Sequence, residues 1–139
     1  MEALASWIVG ILMLTLPIEW AAPTPPACRD VSVIHAPPGT KTQECSATFA
    51  RGDSQLTVIV WKPVVARDGG PMASVEEQKG KLLGKDVVVR RTSQFMGVPQ
   101  EVLVTSLALE SPPAQILIYA KKTSAKDFQA VLDQVKLAK

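Results

Sequence analysis

Little in this chain can carry acid–base chemistry near neutral pH. His35 is the only histidine in 139 residues, and histidine is the one side chain whose ordinary titration falls in that range. It ends a short apolar stretch beside APPG, where a surface role accounts for it. The carboxylates are scattered, and the adjacent Glu76-Glu77 fit the first turn of a helix, where the dipole favours negative charge. The two cysteines, Cys28 and Cys45, do not form a CxxC. No His, Asp or Glu cluster has ligand spacing, so no metal is expected. The glycines at Gly69-Gly70, Gly80 and Gly84 miss every phosphate-cradling spacing. These gaps argue against an enzyme and against any cofactor. Fifteen Lys and Arg against thirteen Asp and Glu give a net charge of +2, too small an excess to expect nucleic acid.

Long apolar runs are missing too. The longest uncharged stretch, ALASWIVGILMLTLPI from Ala3 to Ile18, spans sixteen residues, short of the ~20 that a transmembrane helix needs. It fits the hydrophobic region of a secretory signal, with Ala21-Ala22 as the small residues before a cut. Residues 1–22 are therefore expected to be a signal peptide, although Glu2 replaces the usual basic start and bulky Trp20 stands near the cut. An uncleaved anchor and an internal segment are the other readings. Removing Glu2 and Glu19 leaves 15 basic against 11 acidic side chains, a net charge of +4. The location expected is exported, in the periplasm or cell envelope of a bacterium.

Cys28 follows Pro25-Pro26-Ala27, which is not a lipidation signal. In an oxidising compartment the simplest use of Cys28 and Cys45 is a disulfide. It would close a loop of about 18 residues and stabilise the fold by roughly 3 kcal/mol. Two unpaired buried thiols are the alternative.

PTPPA, residues 23–27, reads as a stiff polyproline-like segment, so 23–30 is expected to be a spacer and 31–139 a single domain. VSVIH alternates like a strand and APPGT like the turn after it. ECSATFA puts Cys45, Ala47 and Phe49 on one face. With the Gly-Asp turn of ARGDSQ and the strand LTVIVWKP, residues 44–62 read as an antiparallel hairpin. Pro63 ends that strand, and ARDGGPM is loop. Ser74–Gly84 begins with Ser74 and Glu77 in a reciprocal capping arrangement, spaces Glu77 and Lys81 for an ion pair, and ends on Gly84. It is expected to be a helix. KDVVVRRTSQF, EVLVTSLALE and QILIYAKK follow as a three-strand meander. TSAKDFQAVLDQVKLAK closes the chain as an amphipathic helix capped by Ser124 and Asp127. The order βββαβββα predicts an α+β fold, a mostly antiparallel sheet of about five to six strands with two helices packed on it.

Two surface features bear on function. Arg51-Gly52-Asp53 is a cell-adhesion tripeptide when displayed at a loop tip, although Gly-Asp is also ordinary turn chemistry. The doublets Arg90-Arg91 and Lys121-Lys122 each close a strand. If those strand ends are neighbours, they form a cationic patch able to hold an acidic partner or phosphate head groups. The alternative is a solubilising sheet edge.

The segment AQILIYAKKTSAKDFQAVLDQV resembles the close of PsbP-like domains, a group that includes periplasmic lipoproteins of the DcrB type. Ile116, Ile118, Ser124, Phe128, Val131 and Leu132 occupy its strand–turn–helix pattern. The resemblance implies an α/β/α sandwich that binds or assembles rather than catalyses, and it offers no catalytic residues. The function expected is thus a non-enzymatic exported binding or assembly module whose partner is another envelope protein. Membrane contact would come only through a retained N-terminal segment or the basic patch. A small secreted inhibitor presenting the disulfide-bounded loop 36–44 to a hydrolase cleft is the competing expectation.

Overall fold

The computed structural model describes residues 3–33, 37–62, 73–111 and 113–138. In chain order these form β1 (Leu4–Val9), β2 (Leu12–Pro17), β3 (Ala21–Ser32), β4 (Lys41–Arg51), β5 (Ser54–Lys62), β6 (Ala73–Leu82), β7 (Lys85–Phe95), β8 (Val98–Pro99), β9 (Leu103–Glu110), β10 (Pro113–Lys121), α1 (Ala125–Asp133) and β11 (Val135–Leu137). The expected α+β class is corrected: the fold is mostly β, 71% strand and 7% helix, with two antiparallel sheets and one short helix among the described residues. The larger sheet runs β3-β4-β5-β10-β9-β7-β6 with β8 folded back on β7, and the smaller runs β1-β2-β11.

The second helix was expected at Ser74–Gly84, and this segment is instead the edge strand β6, paired with β7. The helical signals there are local and weak. A cap is worth about 1 kcal/mol and an i,i+4 ion pair a few tenths, and an isolated helix of this length is marginal without an apolar stripe to bury. The stripe is missing: Ser74 to Lys79 are exposed throughout. As a strand the same residues gain a backbone ladder and trade the helical pair for two cross-strand ones, Glu77 with Arg90 at 3.6 Å and Lys81 with Asp86. Gly84 does take the left-handed conformation expected of it, with φ +75°, but together with Leu83 at +53° it forms the tight turn between β6 and β7 that suits the twist of two strands.

Side-chain alternation sets the layers of the larger sheet. Register puts Phe49, Leu56, Ala120 and Leu103 in one row, and Ala47, Val58 and Ile118 in the next. This face is covered by α1, through Phe128, Val131 and Leu132, and by the smaller sheet, through Val9, Leu12, Leu14 and Leu16, all in one buried cluster. Trp7 meets Phe49 edge to face at 5.7 Å. The opposite face carries a smaller cluster of Phe95, Val102 and Val104, flanked by Leu117 and Tyr119.

The stretch expected to be removed as an export signal therefore supplies a large part of the core. Its sixteen-residue run is not one long element but two six-residue strands, with Val9 registered on Leu12 across a Gly10 turn. Gly10 has φ +59°, and a Cβ there would lie 3.3 Å from Cys45 Cβ, so a side chain at this left-handed turn would be strained and would press on β4. The proline-rich residues expected to form a spacer lie in β3, at the sheet edge. Their pairing with β4 is irregular between Ala21 and Thr24 and again between Thr24 and Ala27, as suits residues without an N–H for the ladder.

The hairpin expected at 44–62 is present as β4 and β5, in register from Gln43–Lys62 to Arg51–Ser54. The meander is present as β7, β9 and β10. Ser124 caps α1 as expected, accepting a hydrogen bond from the Asp127 N–H at 3.1 Å. The sandwich implied by the PsbP-like pattern is not the fold observed, although β10 does run through a short turn into α1.

Candidate functional site

A cavity of about 570 Å³ opens at the start of β9 and the end of β10, beside Arg91 within β7, lined by Arg91, Gln100, Glu101, Val102, Leu103, Ala120, Lys121, Lys122 and Thr123. The sheet register builds it. Arg91 lies opposite Leu103, and Leu103 opposite Ala120, so β7 and β10 flank β9 here, and Arg91 lines the same cavity as the lysine doublet. Leu103 and Ala120, buried neighbours on one face of the sheet, give the cavity an apolar floor beside its charged residues, and Val102 is buried in the cluster on the other face.

Arg90, the fourth residue of the expected patch, does not join. Successive residues of a strand face opposite sides. Arg90 is registered on Val104 and Arg91 on Leu103, and the Arg90 guanidinium pairs with Glu77 on β6.

Every wall of the cavity is pinned through the backbone. The Thr92 hydroxyl, fully buried, accepts from the Val102 N–H at 3.3 Å and lies 3.4 Å from the Val102 and Gln100 carbonyls. The Gln100 amide donates to the Phe95 carbonyl at 3.1 Å. On the other side, the Thr123 hydroxyl donates to the Lys121 carbonyl at 3.0 Å and the Ser54 hydroxyl to the Lys122 carbonyl at 2.6 Å. Lys122 itself has φ +52°, a left-handed backbone that disfavours any side chain with a Cβ. Ser54, Gln100, Glu101 and Thr123 carry no sequence motif, so only the fold identifies them with this site.

The charges are unbalanced. Arg91 Nη1 donates to Glu101 Oε1 at 2.9 Å, whereas neither Lys121 nor Lys122 forms an ion pair among the described residues. Three cations thus line the cavity with one carboxylate. Thr123 is the only hydroxyl-bearing lining residue, and its hydroxyl is already committed to a carbonyl. No protein-family model, curated protein or solved structure matches the chain. What the cavity does must be argued from its own side chains.

The other residues read from the sequence fall elsewhere. Cys28 and Cys45 are bonded, S–S 2.06 Å, as a directly opposed pair on β3 and β4. The next registered row, Arg29–Glu44–Trp61, is a built network. Arg29 Nε and Nη2 donate to Glu44 Oε1 at 3.2 and 3.1 Å, and Trp61 Nε1 donates to Oε2 at 2.9 Å. Both carboxylate oxygens of the buried Glu44 are thereby satisfied, and the group is structural. Arg51 of the adhesion tripeptide stacks over Trp20, 4.6 Å from the ring centroid, and pairs with Glu19 at 3.4 Å and Asp127 at 3.2 Å. Gly52-Asp53 do occupy the hairpin tip, but Arg51 is held by the fold. His35 and Ala36 lie outside the described residues. Of the loop expected at 36–44, Lys41 to Glu44 belong to β4, and Pro37 to Thr40 form a turn closed by the Thr40 N–H on the Pro37 carbonyl at 3.1 Å. Among the described residues no group of His, Cys, Asp or Glu could hold a metal ion, and no helix is long and apolar enough to cross a membrane.

Proposed function

We propose that the chain is a non-enzymatic binding module that captures an anionic group in the cavity at the start of β9 and the end of β10, beside Arg91 of β7. The observation that carries this is the meeting of Arg91, Lys121 and Lys122 at one cavity with only Glu101 to offset them. Charge-assisted hydrogen bonds to carboxylate or phosphate are what such a group of donors offers a ligand, and the volume is that of a small-molecule site. Two further features support the reading. The backbone around the lysines is fixed before any ligand arrives, which lowers the ordering cost of binding. The left-handed Lys122 is the kind of local strain that persists at ligand clamps. The disulfide is compatible with an exported, oxidising compartment, and the cell envelope is the setting assigned here. The N-terminal hairpin is retained in the working protein, because the core is built on it.

Titrating the full chain with inorganic phosphate and with benzoate, followed by amide chemical shifts, tests this. Saturable shifts should cluster at Arg91, Gln100 to Leu103 and Ala120 to Thr123. Shifts spread evenly over every lysine of the surface, or none, would refute the reading.

A further inference from the structure

Resting on that reading, the charge and donor count of the cavity goes further and names the ligand class: we infer that the site selects a phosphate monoester dianion carrying an apolar group. Glu101 occupies one donor of Arg91, Nη1, and cancels one of the three positive charges, leaving two. A carboxylate would neutralise only one of these. A phosphate monoester, with a charge of about −1.5 to −2 at pH 7 and three terminal acceptor oxygens, neutralises both. The donors are present in kind. Arg91 has five N–H groups and uses one in the Glu101 contact, and each ammonium offers three more. The oxygens have no rival acceptor on the lysine side, since neither lysine has an ion-pair partner among the described residues.

Beside the cations the chemistry changes. Leu103 and Ala120 line the cavity and offer nothing to a hydrated inorganic ion. They suit the hydrocarbon part of an ester, whose burial adds affinity in proportion to its apolar area. Glu101 then tempers the site: by offsetting one positive charge it lowers affinity for every anion, and for a dianion most. A phosphorylated metabolite and a phosphate-headed lipid present the same group.

The test uses the full, oxidised chain and three soluble probes: phenyl phosphate, inorganic phosphate and benzoate. Phenyl phosphate should bind about tenfold more tightly than either of the others, as two charge-assisted contacts and an apolar floor imply. The Lys121→Ala/Lys122→Ala variant should lose that preference with its unfolding midpoint unchanged, since both side chains project from the surface. If the double variant fails to fold, Glu101→Gln supplies the second arm: with one more uncompensated charge it should bind every anion more tightly, phenyl phosphate more than benzoate, and widen the discrimination. Phosphatidylcholine vesicles with and without phosphatidic acid distinguish the sources. Retention that phenyl phosphate displaces assigns the site to a lipid head group, and binding of the soluble ester alone assigns it to a free metabolite. Equal affinity for benzoate and phenyl phosphate overturns the dianion inference while leaving anion capture standing. Absence of any saturable binding overturns both.

Discussion

The side-chain amide of Gln129 on α1 hydrogen-bonds both backbone groups of Lys81, accepting from its N–H at 3.2 Å and donating to its carbonyl at 3.0 Å. One side chain thereby does for two backbone groups of edge strand β6 what a neighbouring strand would do, and it ties the helix to the sheet. Gly80 allows the approach: a Cβ there would lie 2.8 Å from Gln129 Oε1 and 3.0 Å from Val89 Cγ2.

Gln129→Ala should lower unfolding stability by about 1–2 kcal/mol, the worth of two partly solvated hydrogen bonds. Gly80→Ala should be destabilising by a similar or larger amount. Because the two residues touch, the effects should not add. In a urea-denaturation cycle, Gly80→Ala should cost less in the Gln129→Ala background than in the parent. Additivity would show that the contact is not formed.

A chain starting at Pro23 should not fold. It would lose the buried side chains of Val9, Leu12, Leu14, Leu16 and Trp20, each worth roughly 1.5–3 kcal/mol, a total comparable to the entire stability of a small domain. Dispersed amide signals from residues 23–139 expressed alone would contradict the place of the hairpin in the core.

Glu44→Ala should cost about 1–3 kcal/mol by leaving the indole N–H of buried Trp61 without its acceptor, and should alter Trp61 fluorescence. Glu44→Gln retains an acceptor and should cost less. The Arg29 contact contributes little to that difference, since its side chain is 70% exposed and a solvated ion pair is worth at most about 1 kcal/mol.

Replacing both Cys28 and Cys45 with Ala should reduce stability by about 3 kcal/mol, the loop-closure effect for their separation of 17 residues. Urea titrations of the parent with and without reductant should bracket the same difference. Mass measurement under non-reducing conditions should find no alkylatable thiol.

The pairing of Cys28 with Cys45, the 44–62 hairpin, the meander and the first turns of the terminal helix were legible because each rests on local alternation or turn chemistry; the helix expected to run to the end of the chain stops at Asp133, and Val135–Leu137 pair with β2 as β11 instead. Ser74–Gly84 was not, because its charged residues satisfy helical spacing and cross-strand spacing alike. Only the partner strand decides between them. The N-terminal hairpin was hidden for a related reason: uniform apolarity leaves Gly10 as its one clue. At the cavity, sequence reading reached Arg91, Lys121 and Lys122 by assuming that strand ends were neighbours. It grouped Arg90 with them because a doublet looks contiguous, whereas strand alternation sends its two members to opposite faces. Gln100, Glu101 and Thr123 were beyond its reach, since the lining depends on how β8 and the turn after β10 close.

The most direct measurement is isothermal titration of phenyl phosphate into the parent chain and into Lys122→Gly. Glycine relieves the left-handed backbone at φ +52°, so the variant should be as stable as the parent or more so by up to about 1 kcal/mol. The account predicts saturable binding to the parent, weakened about tenfold in this equally stable variant through loss of one charged donor. Equal affinity in the two proteins, or no saturable binding to either, would contradict it.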